Sequence, residues 1–508
     1  MNYKRVGAGV FTTIGLVLAT TINLDSTPPL WWDEGWLLTI ARNWVERGHY
    51  GPLLSGKPIF TSSTNGFPAV APVALSFRLF GIGIWQARGV GVFFLIGAFW
   101  LIYYLALRCY NQSVAKWTLF VLLFMFPSRV FHPILMGRQA VGEMPAMFFL
   151  LAGYACFANA FGAPLRYMPL AVLFWGTTVI TKLQVFPFWA ASLAIPLLIA
   201  LSTKNWRVTQ LFACGLLGSL IAAWVARLQL QTLVSSDTLS LSAIERLRDI
   251  SVWVPVASIR WMVLVNMLLF WFPTIFGFCF ATWSLIRDAH DLRRGDHKKI
   301  LRLTIFVLAA TWYAWYVFFS IGWQRYLFPP AFIGSMFVAL ILYELTNSFQ
   351  FSTTITQGFS ELKRLRFSRG VFGPMLAIAL IAYSCHATAT RLYRTFVIEP
   401  DNSIREVAAF LNTQTSPDAL IETYESELFF LLDRSYHYPP EEIHVDLNRR
   451  AFFGQDVPIN YDPLAANPEY LVVGPQSAFW GLYDSVIDSG AFRTLRLYSR
   501  YTVFERVR

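Results

Sequence analysis

The residues best suited to chemistry in this chain are acids and bases that stand beside long apolar segments. Asp33 and Glu34 are adjacent, and they follow the first apolar segment within the sequence LWWDEGWLLTIARNWVERGHYG. A carboxylate in this place can take a proton from a hydroxyl group as a general base. Helix capping is the alternative explanation for both acids, because the helix dipole favours negative charge in a first turn.

Two later segments also combine charged and apolar residues. The sequence GRQAVGEMP contains Arg138 and Glu143, and Glu143 can likewise cap a helix. The sequence GWQRYLFPP places Arg325 and Tyr326 between two apolar segments. A guanidinium binds phosphate in a forked geometry, and a tyrosine donates one hydrogen bond. The alternative for this pair is an interfacial arginine within an aromatic belt.

Two lysines complete the set of candidate residues. Lys57 lies in a segment rich in turn-forming residues, and Lys182 precedes a later apolar segment. Lys182 can also simply extend its side chain to the membrane surface. The sequence contains no Walker loop, GxGxxG, HExxH or GxSxG motif, and its seven histidines lack ligand spacing. It therefore predicts neither a cradle for a soluble nucleotide nor a metal site.

The composition indicates a membrane protein that crosses the bilayer many times. Of the 508 residues, 56% are hydrophobic and 14% are charged, against about 25% charged in soluble proteins. The net charge of +11 lies mostly in short segments between apolar ones, which argues for membrane orientation and against nucleic-acid binding. Five cysteines without a CxxC pair lie in or beside apolar segments, where they are expected to pack: Cys109, Cys156, Cys214, Cys279 and Cys385.

About eleven apolar segments are long enough to span a bilayer, for which roughly 20 residues are needed. The first, up to about residue 24, follows MNYKR and has no clear cleavage site, which favours an uncleaved helix over a signal peptide. The others are near 86–106, 115–134, 143–162, 167–181, 186–202, 209–228, 258–284, 303–320, 330–346 and 372–389. Every second loop carries Lys or Arg, so the N-terminus is predicted to be cytoplasmic and the tail from residue 390 to lie outside.

Three outer regions are more than simple connections, and one of them is the charged loop around 229–257, most of which lies outside the residues that the structure describes. In the first outer loop, apolar residues from Trp36 to Val45 recur at helical spacing before Gly48, and a second element runs from Val70 to Phe80. Both are predicted to lie as helices on the membrane surface. The predicted boundaries are a transmembrane domain over 1–389 and a small soluble α/β domain over 390–508. In the latter, a helix is predicted over 404–412 and strands over 419–423 and 469–475, with two closing strands in TLRLY and YTVFERV.

The order of these segments resembles a known family. The acid pair is followed by ARNWVERGHYG, KP, ALSFRLFG with WQAR, GRQAVGEMPAMFF, TK and RYLFPP, all within about residues 1–345. This order is similar to that of the C-type (GT-C) glycosyltransferases, in particular the dolichyl-phosphate-mannose protein mannosyltransferase and aminoarabinose transferase (ArnT-like) superfamily. One departure is Gly56, which stands where the aminoarabinose transferases carry an acid.

The resemblance implies an integral-membrane hexosyl or pentosyl transferase that uses a polyprenyl-phosphate sugar, such as an undecaprenyl-phosphate sugar, on the non-cytoplasmic face. The acceptor would be a hydroxyl of a lipid, glycan or protein, with inversion at the sugar carbon. A bacterial inner membrane with a periplasmic tail is the expected location. No cofactor is predicted, and a divalent cation stays open. The implied catalytic residues are Asp33, Glu34 and Glu143, and those at the donor phosphate are Lys57, Arg138, Arg325 and Tyr326.

A polytopic transporter, or a flippase for lipid-linked sugars, is the alternative function. It explains the many spans equally well, but it predicts charges near the middle of the membrane and broken helices in paired halves. A scaffold that displays its outer tail is a third class, and it leaves the first outer loop unexplained. The gathering of candidate charges at one face favours an enzyme.

Overall fold

Two kinds of structure follow one another in this protein, a helical part and then a mixed sheet. The computed structural model describes residues 14–59, 66–126, 128, 131–231, 254, 256–270, 272–288, 290, 295–350, 356, 360, 369–398 and 401–507. Residues up to 398 are mostly helical, whereas residues 401–507, called the tail below, combine helices with a five-stranded sheet.

The segment after helical residues 14–21 contains two helices and a hairpin. Helix α1 (Trp32–Arg47) ends at Gly48, whose φ of 69° is a left-handed conformation that glycine adopts without steric penalty. Strand β1 (Leu53–Leu54) pairs with β2 (Lys57–Pro58), and helix α2 (Phe67–Phe80) follows. Both helices predicted for this loop are therefore confirmed, together with the glycine stop.

Twelve further helices follow before the tail in the described residues, and three short helical turns lie between or after them. The helices are α3 (Ile84–Cys109), α4 (Gln112–Phe124), α5 (Pro133–Gly137), α6 (Glu143–Ala160), α7 (Pro164–Thr181), α8 (Phe186–Ser202), α9 (Trp206–Gln231), α10 (Ala257–Phe270), α11 (Phe272–Arg287), α12 (His297–Phe318), α13 (Phe328–Leu345) and α14 (Arg369–Tyr393). The turns are Leu183–Val185, Gln324–Leu327 and Arg394–Ile398.

Within the described residues, six helices are long and apolar enough to cross a membrane. The count becomes seven if α10 and α11, which meet at a bend of 87°, form one broken span. The predicted number of eleven is not confirmed. Helix α4 has only 13 residues, or about 20 Å of helix, against a hydrocarbon core of about 30 Å. Part of the first predicted span lies outside the described residues.

Large aromatic side chains pack the middle of the helical part. Trp175, Trp189 and Trp312 are each at most 2% exposed. Gly153 lets α6 approach α7 closely, since a Cβ there would lie 2.4 Å from Trp175. Such close packing fixes the ends of these helices, where the candidate site residues lie.

The tail is built around a sheet with the strand order β4-β3-β5-β7-β6. Strands β4, β3 and β5 are parallel, while β7 is antiparallel to both β5 and β6. The strands are β3 (Leu420–Thr423), β4 (Ser435–His437), β5 (Tyr470–Val473), β6 (Phe492–Leu497) and β7 (Thr502–Arg506). The helices are α15 (Ser403–Gln414), α16 (Ser426–Phe429), α17 (Glu441–Phe453), α18 (Pro475–Trp480) and α19 (Asp484–Asp488). The predicted helix and four predicted strands are confirmed, whereas β4 and α17 were not predicted.

The tail packs directly on helix α1, and this corrects the predicted position of that helix. Trp36 makes edge-on contacts with the rings of Phe429 and Tyr438, at 5.2 Å in each case. Arg42 donates to the carbonyls of Phe430 and Leu432. The tryptophan-rich face of α1 is thus covered by protein and not by the membrane surface. Helix α2 differs, because its apolar residues Leu75, Leu79 and Phe80 are 58–71% exposed.

Candidate active site

An ion pair between Asp33 and Arg325 forms the centre of the candidate site. Asp33 lies in the first turn of α1, and Arg325 lies in the turn Gln324–Leu327 that precedes α13. Their side chains are only 17% and 18% exposed, so both charges are largely removed from water. If another anion binds Arg325, the carboxylate of Asp33 is freed inside a largely water-excluded site.

Aromatic rings surround the guanidinium of Arg325. Its central carbon lies 5.8 Å from the ring centre of Trp31, 4.9 Å from that of Trp323 and 5.4 Å from that of Tyr326. Cations are attracted to such ring faces, which stabilise the charge without fixing one hydrogen-bond geometry. The Arg325 Nε is buried and has no hydrogen-bond partner among the described residues. This arginine therefore keeps a donor for a further oxyanion.

Tyr326, a predicted phosphate ligand, is placed as a packing residue. It is 7% exposed, and its ring lies 5.5 Å from Trp315 and 5.6 Å from Trp323. The two prolines that follow occupy the first turn of α13, where the missing N–H groups have no helical partners to lose. The sequence RYLFPP thus forms a short turn that contains Arg325, and the prolines begin helix α13 directly after it.

Glu34, predicted to be catalytic, is instead closed within the protein. Arg88 donates to both of its carboxylate oxygens, at 2.8 and 2.7 Å, and the backbone N–H of Ala140 donates to one of them at 3.0 Å. Both side chains of the ion pair are fully buried. This carboxylate therefore accepts three hydrogen bonds away from solvent. It joins α1 to α3 and to the turn before α6.

Arg138 is also bound by backbone groups. Its guanidinium donates to the carbonyls of Thr27, at 2.8 Å, and of Ile22, and it lies over the ring of Phe396. Burial lowers the pKa of Arg138 to about 10, and the charge of Arg88 acts in the same direction. One nitrogen, Nη1, has no partner in the described part of the chain. Arg138 thus binds the backbone of the segment before α1, and its Nη1 group has no partner among the described residues.

Glu143 and Lys182 form a second ion pair near the start of α6. Glu143 is 4% and Lys182 is 19% exposed as a side chain. The lysine follows the end of α7, so the pair closes the gap between two neighbouring helices. The reading of Lys182 as a lysine extended to the membrane surface is corrected, because an acid of its own chain binds it.

Lys57 is the candidate that the structure leaves in solvent. It is exposed in strand β2, and within the described residues it makes no ion pair with Asp33 or any other acid. The hairpin that carries it is anchored to the tail, since the Ser55 N–H donates to the Tyr436 carbonyl at 2.8 Å. Asp33 and Arg325 thus contact each other, whereas Lys57 takes no part in their ion pair.

Two important residues were missed by sequence reasoning. Arg88 neutralises Glu34, and the only signal for it is an arginine inside an apolar segment. His444 on α17 stacks on Trp32, with ring centres 6.0 Å apart, and gives no signal in the sequence. In the part of the chain that the structure describes, no group of three or more His, Cys, Asp or Glu residues could hold a metal ion.

The helices and the mixed sheet that follows them form a fold that solved membrane proteins share. The chain is similar in structure to ArnT from Cupriavidus metallidurans, solved bound to undecaprenyl phosphate, with a TM-score of 0.64 and 14% identity over 99% of this chain and 98% of that one. The Archaeoglobus fulgidus oligosaccharyltransferase is also similar, with a TM-score of 0.54 and 10% identity over 93% of this chain and 71% of that one. No family model and no curated protein sequence matches the chain.

Proposed function

We propose that this protein is a membrane glycosyltransferase that moves a sugar from a polyprenyl-phosphate donor to an acceptor hydroxyl, with inversion at the sugar carbon. The observation that carries the proposal is the ion pair between Asp33 and Arg325. It brings a desolvated carboxylate and a guanidinium with a spare donor to one place. Transfer from a lipid phosphate needs both, a base for the acceptor and a cation for the leaving phosphate.

The reaction uses the two residues in separate roles. Asp33 takes the proton of the acceptor hydroxyl, whose oxygen attacks the anomeric carbon from the face opposite the phosphate. The bond between that carbon and the phosphate oxygen breaks, and its electron pair stays on the departing polyprenyl phosphate. Arg325 stabilises the charge that develops on this oxygen, and a largely desolvated site strengthens that interaction.

Exchange of partners links donor binding to activation of the base. Without a carrier, the carboxylate of Asp33 is paired with Arg325. A carrier phosphate competes for the guanidinium, which already has an unpaired Nε. When Arg325 turns to the phosphate, the carboxylate of Asp33 is released to the acceptor hydroxyl. The surrounding rings of Trp31, Trp323 and Tyr326 tolerate this movement, since ring faces attract a cation without directional bonds.

Several observations support the finer parts of this proposal. The similar ArnT structure was solved with undecaprenyl phosphate, which favours a polyprenyl-phosphate carrier here. Arg138 Nη1 has no partner among the described residues and Lys57 is exposed, so neither positive group is excluded from binding the phosphate by an existing ion pair. The distribution of Lys and Arg between the apolar segments supports a cytoplasmic N-terminus, with the site and the tail on the outer face, the periplasmic side of a bacterial inner membrane.

Purified protein tests the proposal directly. It is mixed with undecaprenyl-phosphate sugars that carry a radiolabel in the sugar, together with lipid, glycan and peptide acceptors bearing free hydroxyls. Label that moves to an acceptor with inverted configuration supports the proposal. Binding of the carrier without transfer or release of the sugar would argue for a flippase and against an enzyme.

A further inference from the structure

Trp31 stands directly before helix α1 and two residues before the proposed base Asp33. Its backbone is extended, with φ −143° and ψ 169°, and its carbonyl accepts the first hydrogen bond of the helix, from the Gly35 N–H at 3.0 Å. Its ring packs against the core of the helical part, whereas the next residue, Trp32, packs against Tyr424 of the tail. The indole of Trp31 is therefore held by the helical part at the start of α1.

The indole N–H of Trp31 is a buried donor without an acceptor. Its Nε1 atom is closed to solvent and has no hydrogen-bond partner among the described residues. Such a donor calls for an explanation, because nearly all buried polar groups in native proteins are paired. Trp175 and Trp189 have unpaired indoles as well, but those lie in the aromatic packing between helices. An unpaired indole N–H alone therefore does not indicate a ligand, and its surroundings decide.

The surroundings of Trp31 differ because a second buried donor lies beside it. The central carbon of the Arg325 guanidinium is 5.8 Å from the ring centre of Trp31, and the Arg325 Nε also lacks a partner in the described chain. Hydrogen bonds from N–H groups to oxygen are about 2.9 Å long, so one phosphate with its several oxygens can bridge two groups at this separation. Two unpaired donors thus lie together, next to the carboxylate of Asp33.

We propose that the indole N–H of Trp31 binds the carrier phosphate, donating a hydrogen bond to the same phosphate group that Arg325 binds. The inference rests on the proposed function. Arg325 has to exchange Asp33 for the phosphate, whereas the indole has no partner to give up and is fixed by the helices around it. Trp31 therefore holds the phosphate in place relative to the base while the guanidinium moves. Because the indole N–H is neutral, it adds a directional bond and no net charge.

Binding of undecaprenyl phosphate and of undecaprenol, which lacks the phosphate, separates this role from a structural one. Trp31→Phe keeps an aromatic ring beside Arg325 and removes the N–H donor. It is expected to weaken binding of undecaprenyl phosphate about tenfold and to raise KM for the carrier sugar by the same factor, the effect of one hydrogen bond to a charged group. Binding of undecaprenol should stay unchanged. Wild-type affinity for undecaprenyl phosphate, or an equal loss for both lipids, would overturn the inference.

Trp189→Phe is the matched control. It removes an indole N–H that is also unpaired in the described chain, from a fully buried ring that contacts Trp175 and Phe186. The smaller ring leaves a cavity, so this variant should lower the melting temperature at least as much as Trp31→Phe does. Its affinity for undecaprenyl phosphate should equal that of the wild type. A loss of affinity as large as that of Trp31→Phe would point to general destabilisation and overturn the inference.

A double variant shows whether the indole binds the phosphate itself or acts only through Arg325. Phenylalanine attracts a cation less strongly than tryptophan, so an effect through the guanidinium has to be separated from a bond to the phosphate. When Trp31→Phe is added to Arg325→Lys, affinity for undecaprenyl phosphate should fall by about another tenfold, because the two bonds are independent. No further loss in the double variant would show that the indole acts through Arg325, and the inference would be wrong.

The wild-type protein distinguishes failure of this inference from failure of the proposed function. If it binds undecaprenyl phosphate and transfers sugar while Trp31→Phe behaves identically, only the role of Trp31 is wrong. If the wild-type protein neither binds this lipid nor transfers sugar, the proposed function fails, and the inference fails with it.

Discussion

Asp33 and Arg325 form an ion pair that joins the first turn of α1 to the turn before α13. In the described residues, neither side chain has another ionic partner. Two segments that are far apart in the chain therefore meet at one desolvated contact. Removal of either residue leaves the other with a poorly solvated charge, so each variant changes more than one property of the site.

Asp33→Asn is expected to lower kcat by a factor of about 10² to 10⁴, the usual contribution of a general base. Asparagine keeps the size of the side chain, so binding of undecaprenyl phosphate should be retained or tightened, because Arg325 is then free. Rates and lipid binding are measured on the same detergent preparation. Glu46→Gln is the control on the same helix, since Glu46 pairs with Arg42 near the surface and should leave turnover unchanged. Normal turnover in Asp33→Asn would contradict the assignment of the base.

Arg325→Lys preserves the charge but loses the planar fork that matches a phosphate. We expect KM for the carrier to rise by about tenfold, the size of one lost charged hydrogen bond. Arg325→Ala should raise KM further and should lower kcat as well, since the leaving phosphate loses its cation. Initial rates at varied carrier concentration measure both variants.

Arg493→Ala is the control variant, because Arg493 forms an exposed ion pair in the tail. If Arg325→Lys leaves KM for the carrier unchanged, Arg325 does not bind the phosphate.

Glu34→Gln is expected to act on folding and not on chemistry. It leaves Arg88 fully buried without its counter-ion, which destabilises a protein by about 3–5 kcal/mol. The double variant Glu34→Gln with Arg88→Met removes both charges and should recover much of this loss. Thermal unfolding of the three proteins measures the effect. A stable, well-folded Glu34→Gln protein without activity would instead favour the catalytic role first expected from the sequence.

Gly35→Ala should separate the tail from α1. A Cβ at this position would lie 2.4 Å from backbone atoms of Ser426 and Glu427, which cannot rotate away. We expect weaker transfer and faster proteolysis of the tail, with the membrane helices intact. Gly89→Ala is the matched control, because a Cβ there meets nothing within 4 Å and alanine favours a helix. Equal protease resistance of Gly35→Ala and wild type would contradict the observed packing.

Glu427 makes the stability of the tail depend on pH. Burial raises its pKa to about 8, and the neighbouring Glu425 adds to the shift. The protonated side chain is therefore favoured on folding. Its contribution to stability is complete below the ordinary carboxyl pKa of about 4 and is lost as the pH rises through 8. Glu427→Gln cannot ionise, so its melting temperature should fall less between pH 5 and pH 9.

Glu505→Gln is the control for this pH series. Glu505 pairs with Arg493 at the surface of the same sheet and should keep the wild-type pH dependence. Parallel pH profiles of Glu427→Gln and wild type would show that Glu427 is already ionised in the folded protein.

The predictions that succeeded rest on local patterns. Helical spacing and Gly48 located α1, and the alternation of helix and strand signals located five elements of the tail. The acid at position 33 could be singled out because a charge beside an apolar segment is unusual. Patterns of this kind show which side chains share a face, but not which distant element covers that face.

The predictions that failed concern contacts between distant segments. The tryptophans of α1 suggested a membrane surface, yet they are covered by the tail, since aromatic residues suit both environments equally. The partners of Glu34 and Lys182 lie on other helices, so spacing along the chain cannot reveal them. His444 had no signal because its neutrality is produced by burial in the fold and not by its neighbours in sequence.

The contact of Gly35 with residues 426–427 has a consequence for the order of biosynthesis. A chain is made from its N-terminus, so α1 leaves the ribosome long before the segment against which it packs. Until then, its tryptophans lack their final partners and Asp33 lacks Arg325. The proposed transfer would therefore require the last segment of the chain to have packed on α1, and a chain truncated before residue 426 should lack it.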